Sequence, residues 1–414
     1  MKKIYRAISL VLSAAIIIAF AGCQREVTAQ SLTESVTAEN VPERACDNAF
    51  ANRYNNFALK LLKNMYSSDS NTVISPLAVL QSLSLAANGA DGNTRAEIEK
   101  AFSDSFTVDD LNVYLHTYID RLKNLDTTKL YLENSMWFNS DNEVTVSNDF
   151  LQTNANYYNA SIFKDSFTSS AVQNINNWMA NETQENVSFV IRAVPEDATA
   201  YMVNAASLVA EWEKPYSYDQ VNDGEFNAAD GSKQKAQMMT SYDYVYLADE
   251  MVEGFMKYYS GKNYALVVLC PLESYNNLQN VVDYLDYNRL RELFKGKKNE
   301  VVHSTIPKFE CDYSGNFAEN LKALGISTAF NSNSADFSKI GESENKIYLG
   351  DIFTKAYIRV TEKGTNAGTA ASVSNSNDTA SRVHEFNVDR PFVYMVVDCN
   401  NYLPILIGAI NTLE

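Results

Sequence analysis

Histidine is scarce in this chain: three in 414 residues, His116, His303 and His384. No Gly-x-Ser-x-Gly elbow, His-Glu-x-x-His pair, phosphate-binding glycine loop or Cys-x-x-Cys pair occurs either. The local signatures of serine hydrolases, zinc proteases, nucleotide-binding enzymes and thiol oxidoreductases are therefore missing. A triad scattered through the chain stays open, because triads are defined by geometry. Cysteine is also sparse. Cys23, Cys46, Cys270, Cys311 and Cys399 are far apart, with neither metal-ligand spacing nor the density of a disulfide scaffold. Cys270 and Cys399 lie in or beside apolar runs, as buried thiols do. Basic residues are outnumbered 34 to 51, the net charge is -17, and no basic patch breaks the acidity. That balance argues against nucleic acid as a partner and suits solubility outside a cell. No cofactor and no metal is expected.

The most unusual stretch is also defined by absence. Residues 364–377 hold no charge, no proline and no aromatic ring in an otherwise acidic chain. At strand period Thr365, Ala367, Thr369, Ala371 and Val373 share one small, half-apolar face, and Asn366, Gly368, Ala370, Ser372 and Ser374 share a small polar one. Such a segment buries too little to leave solvent by itself, yet nothing in it obstructs entry into a sheet as a strand. A flexible linker is the competing reading.

At the other end, Lys2, Lys3 and Arg6 precede an apolar run over residues 8–20, too short to favour a stable membrane span. The run ends in Phe20-Ala21-Gly22-Cys23, which resembles the lipobox of bacterial lipoproteins and implies cleavage before Cys23 and lipidation of its sulfur. A plain secretory signal is the alternative. The division that follows is a signal peptide over 1–22, a polar tether over 23–45 and one folded unit over 46–414. Within that unit Ser75 as N-cap, Pro76 at the first helical position and Gly89 past the end predict a helix, with Leu77, Leu80, Leu83 and Ala87 on its buried face. Leu111, Tyr114, Leu115, Tyr118, Ile119 and Leu122 predict another. Residues 130–138 and 264–270 read as strands, and the apolar runs 392–397 and 404–410 read as buried neighbouring strands.

Several of these segments together resemble the serpins, the protease inhibitors that act by loop insertion. The resemblance rests on TKAYIRVTEKGTNAG followed by EFNVDRPFVYMVV, on NTVISPLAVLQSLSLAANGADGNT, on AYMVNAASLVAEWEKPY, and on IPKFECDYSGNFAENLKALG. It implies an α+β fold of about nine helices around three β-sheets, with a large central sheet and an exposed reactive centre loop. It also implies function: an irreversible suicide-substrate inhibitor of serine proteases, monomeric, that forms a covalent 1:1 complex and touches membrane only through the Cys23 lipid.

By the same resemblance Gly364, Thr365, Ala367, Thr369, Ala371 and Val373 form the inserting hinge. Trp212, Lys308 and Glu362 form the breach, where the sheet opens, and Ser75, Asn204 and Thr354 the shutter below it. Ala78 stands where many relatives carry a second serine, and Thr354 where they often carry histidine, so a thinner polar cluster without a titrating group is expected. The reactive bond falls at Asp378-Thr379 when counted from Glu362, and nearer Ala380-Ser381 when counted from Pro391. Asp378 suits a protease with an acid-binding pocket, and Thr379 or Ala380 an elastase-like one. A surface binding lipoprotein of the same fold without inhibitory action is the rival reading.

Overall fold

The computed structural model describes residues 24–125, 127–187, 191–272, 277–367 and 383–413. Its largest sheet has seven strands: β1 (Gln30–Ser31), β2 (Thr128–Asn139), β3 (Ser161–Asp165), β4 (Ala200–Glu211), β5 (Phe309–Asn316), β6 (Leu349–Val360) and β7 (Gly364–Thr365), in the spatial order β1-β3-β2-β4-β7-β6-β5. The long apolar run of β4 is buried on both faces. Met202, Ala206, Leu208 and Ala210 enter the main core, while Tyr201, Val203 and Ala205 meet a smaller core with Ile175, Trp178 and Met179 of the Ser169–Glu182 helix. Side chains that alternate across a strand with apolar cover on each side give that pattern.

The helix Pro76–Gly89 forms as its punctuation predicts. Ser75 accepts a hydrogen bond from the Ala78 N–H, and Pro76 occupies the first turn. Nearly the whole helix is buried, beyond the one face that the periodicity marks. Gly89 is its last residue rather than a cap beyond it. A Cβ there would lie 2.2 Å from Ile340 Cγ1, so close packing, not backbone handedness, requires glycine. The helix Val108–Lys123 opens with a reciprocal Thr107–Asp110 capping box.

Tyr264–Pro271, Phe392–Asp398 and Leu403–Ile410 lie side by side in a six-stranded sheet, and each is buried throughout. Val221–Asn227, Lys233–Asp243, Val301–Pro307 and Val383–Asn387 make a four-stranded sheet, and a two-stranded pair completes the set. Cys46, Cys270, Cys311 and Cys399 are free thiols, each pushed up to about 12 chiefly by burial. No helix among the described residues is long and apolar enough to cross a membrane.

Part of the segment read as a polar tether, residues 24–45, packs along the folded unit. Gln30 and Ser31 pair with Lys164 and Phe163, and so extend the main sheet by an edge strand. Arg25 is bonded to Glu185 at 2.8 Å, the Thr28 N–H donates to Asn174, and the Asn177 and Asn181 amides donate to the carbonyls of Glu26 and Arg25. An unpaired sheet edge accepts extended backbone, and Val27, Ala29, Leu32 and Val36, scattered among polar residues, pack partly buried against the two cores.

Candidate functional site

The strands β4 and β6 are parallel neighbours, paired directly from Ile352–Met202 to Tyr357–Ser207. Above that point they separate, and β7 lies between them: Gly364 opposite Glu211, and Thr365 opposite both Ala210 and Val360. The chain turns tightly to get there, with Thr361 and Gly364 exchanging backbone hydrogen bonds. Gly364 has φ +152°, and a Cβ on it would lie 2.0 Å from the Ala210 carbonyl oxygen. Only glycine fits that approach. Thr365 is fully buried, and its hydroxyl bonds to that of Tyr259. Tyr259 in turn stacks on Trp212, ring centroids 4.4 Å apart.

Trp212 closes this end of the seam. Its indole N–H donates to the Thr361 carbonyl at 2.8 Å and its backbone N–H to the Lys363 carbonyl at 3.0 Å. Beside it Lys308 Nζ meets Glu362 Oε2 at 2.7 Å, each side chain about one-third exposed. The hydrogen bond from Lys308 holds the Glu362 carboxyl below its ordinary value of 4.5. The structure thus brings Trp212, Lys308, Glu362, Gly364 and Thr365 together, with Ala367 just beyond β7 and half-buried. Thr369, Ala371 and Val373, the bond candidates Asp378, Thr379, Ala380 and Ser381, and Cys23 lie outside the described residues.

Lower in the seam, Asn204 faces Thr354 and its Nδ2 donates to Thr354 Oγ1 at 3.2 Å. The same amide donates to Ser82 Oγ at 3.1 Å, and Ser82 donates to Asn134 Oδ1. Ser75 remains at the helix N-terminus as the cap; the serine that reaches Asn204 is Ser82, two turns further along. Asn134 Nδ2 and Asn204 Oδ1 are buried without partners. The cluster contains no titratable side chain.

Sequence reasoning missed Tyr259, Ser82 and Asn134. Nothing in their local context separates them from other core residues, because their roles come from what packs opposite. The three histidines are apart in use: His303 pairs with Glu385, His384 with Glu300, and His116 meets the Tyr157 carbonyl.

Residues 52–413 match the family model described as Serpin (serine protease inhibitor). The chain belongs to the serpin family. Among curated relatives, an uncharacterized serpin-like protein of Methanosarcina acetivorans is 24% identical over 371 residues, 87% of this chain and 85% of that one. The leukocyte elastase inhibitor of Xenopus tropicalis is 25% identical, covering 80% of this chain and 90% of its own. Among solved structures, the thermophilic serpin tengpin in its native state superposes with a TM-score of 0.89 at 34% identity, over 94% of this chain and all of tengpin (100%). Tengpin in its latent state gives 0.79 at 32% identity, over 90% of this chain and 100% of that one. This serpin is therefore closer in shape to the native form of that relative than to its latent form.

Proposed function

We propose that this serpin is an irreversible suicide-substrate inhibitor of serine proteases. The observation that carries the reading is β7, a two-residue strand already seated at the head of a seam whose two strands, directly paired below it, would have to part for it to continue. If the register of its pairs were continued, the β4 side and the β6 side would agree. Ala367 would fall beside Leu208 and Ile358, Thr369 between Ala206 and Ala356, Ala371 between Asn204 and Thr354, and Val373 between Met202 and Ile352. Each partner pair already faces the main core or the buried polar cluster. Small residues would thus enter where two small or medium side chains now face each other, and bulk or charge there would be excluded.

In this mechanism a protease attacks the loop carbonyl at the cleaved bond through its serine hydroxyl and becomes esterified, with the amine of the C-terminal fragment as leaving group. The freed N-terminal side of the loop then enters the seam. At about 1 kcal/mol net per backbone hydrogen bond, a dozen residues release on the order of ten. That energy carries the tethered protease away from its starting position and distorts its active site before water can deacylate it. Elastase-like and acid-pocket proteases are the proposed targets, with cleavage at Asp378-Thr379 or at Ala380-Ser381. The thyroxine-binding globulin structures share the fold at 21% identity, and they bear on fold alone.

The Phe20-Ala21-Gly22-Cys23 motif supports a further reading, surface anchoring through a lipidated Cys23. Cys23→Ser should move the protein from membrane to medium, and an unchanged distribution removes the anchor.

The experiment for inhibition is incubation with a panel of serine proteases, followed by denaturing gels for a covalent 1:1 complex and mass spectrometry of the released loop fragment. A stable complex with at least one protease, and a cleaved inhibitor that melts well above the intact one, are expected. Cleavage with neither complex nor rise in melting temperature replaces the reading with a non-inhibitory surface binding protein.

A further inference from the structure

Strand β7 stops after two residues although the seam beneath it continues, and the residue that follows explains why. Asn366 has φ +52°, a left-handed conformation that asparagine tolerates better than most residues and that turns the chain out of the strand. Its backbone N–H donates to the Arg359 carbonyl at 2.9 Å, as the next rung of the ladder requires. The return bond is different. The Arg359 N–H donates at 3.0 Å to the side-chain Oδ1 of Asn366, where a continuing strand would present the main-chain carbonyl of the same residue.

On the other flank the exchange is complementary. The Trp212 N–H to Lys363 carbonyl bond and the Thr365–Ala210 pairing set the alternation, which next directs the Ala367 N–H to the Leu208 carbonyl. That carbonyl instead accepts from Asn366 Nδ2 at 2.9 Å, and Nδ2 also donates to Ser207 Oγ at 3.1 Å. A carboxamide carries the same C=O and N–H groups as a peptide. Here Oδ1 occupies the role of the 366 carbonyl and Nδ2 that of the 367 amide.

We propose that Asn366 is a positioning residue that arrests insertion at a two-residue seed, its side chain imitating the peptide group between 366 and 367. The Arg359 N–H and carbonyl and the Leu208 carbonyl are thereby occupied, and the next length of loop does not find them free. Further insertion needs the carboxamide to leave, φ at 366 to become extended, and the Tyr357–Ser207 contact to part. Main-chain bonds then replace the two side-chain bonds to Arg359 and Leu208, and the bond to Ser207 Oγ is released. Asn366 therefore sets the rate of insertion and leaves the final inserted state unchanged. The proposal rests on the insertion reading above.

The test compares the full-length parent with Asn366→Ala, Asn366→Gly and Asn366→Asp. Glycine keeps the left-handed backbone without the carboxamide, and aspartate keeps the acceptor for Arg359 but loses both donors. The measurement is the half-time for the intact protein, warmed to just below its melting transition, to convert to a form that melts higher and no longer forms a covalent complex with a protease. Loss of two or three hydrogen bonds should shorten that half-time at least about tenfold in the alanine and glycine variants, with aspartate between. The melting temperature of the loop-cleaved form should match the parent's in all three, which a merely destabilising substitution would not achieve. Half-times within about twofold of the parent's, or no conversion in any variant, overturn the arrest. Should Asn366→Ala fail to fold, the glycine variant decides. A parent whose cleaved form melts no higher than its intact form overturns the insertion reading itself, a result separate from any difference among the variants.

Discussion

The head and the middle of the seam between β4 and β6 solve one problem in opposite ways. At the head the strands are apart, and the space is filled by Gly364 and Thr365, roofed by stacked Trp212 and Tyr259 and flanked by the Lys308–Glu362 ion pair. In the middle the strands touch, joined by backbone pairing and by a buried, uncharged Asn204–Thr354 contact. The head is therefore held by interactions that already include the loop, whereas the middle is held by interactions that the loop would have to replace. One partnerless buried atom at this contact, Asn204 Oδ1, and another beside it on β2, Asn134 Nδ2, leave the buried polar cluster below its full hydrogen-bonding capacity. A seam firmly seeded at one end and less than fully satisfied further down is suited to opening in one direction.

The comparison breaks most completely at Thr365. Because this side chain is fully buried and bonded to Tyr259, Thr365→Arg must either bury a guanidinium or expel β7 from the seam. Burial without a partner costs several kcal/mol, so expulsion is expected. The variant should still be cleaved by a target protease but should release it active, with no complex on denaturing gels. Full inhibition by the variant would show that the seed does not matter.

A smaller effect is expected at the ion pair. Lys308→Glu sets two carboxylates together at the point where the strands part and should promote premature opening, read as polymers on native gels after warming; a variant that stays monomeric and inhibitory removes the pair from the opening step. Partly exposed pairs contribute under about 1 kcal/mol, so the effect lies in where the charge sits rather than in overall stability. The pH dependence follows from the same contact. Glu362 is held below its ordinary value of 4.5, so its stabilising contribution is complete above that pH and is lost as pH falls through the lowered value. Acidification through that range should speed opening more in the parent than in Lys308→Met, and equal acceleration in both would assign the acid effect to other groups.

The smallest effect belongs to the middle. Thr354→Val removes one hydrogen bond from Asn204 Nδ2 and leaves the one to Ser82, a loss of about 1 kcal/mol. The intact form should melt about 2 °C lower, while the cleaved form, with Ala371 between these residues, should be unaffected. Because the cluster holds no titratable group, the shift should be the same at about pH 6 and about pH 8. A shift that changed between them would reveal a charge acting on the cluster from outside it.

Much of this was legible in the chain. The N-cap and proline of Pro76–Gly89, the period of Val108–Lys123 and the doubly buried runs of the six-stranded sheet are local patterns, and each became the expected element. The Lys308–Glu362 pair was readable only through family resemblance, since 54 positions separate residues that no spacing rule connects. The docking of residues 24–45 was not readable, because its edge-strand pairing, its Arg25–Glu185 ion pair and the surfaces that cover Val27, Ala29, Leu32 and Val36 are all supplied by residues far away in sequence. The sequence likewise placed Thr365 in a loop that had yet to insert, whereas the structure has it inside the sheet, covered by residues distant in sequence.

What the sequence by itself determined is the class of segment that residues 364–377 must be. They are small, uncharged and free of proline, so either solvent or a sheet can accept them. Where that segment begins to enter the sheet was decided by tertiary structure alone. Only glycine fits at 364 against the Ala210 carbonyl, Thr365 is buried because Tyr259 and Trp212 close over it, and Asn366 ends the strand because Arg359 and Leu208 present their main-chain groups to its amide. The physical reason is that these positions are fixed by hydrogen-bond partners supplied by strands far away in sequence, and a local pattern of side chains holds no record of them.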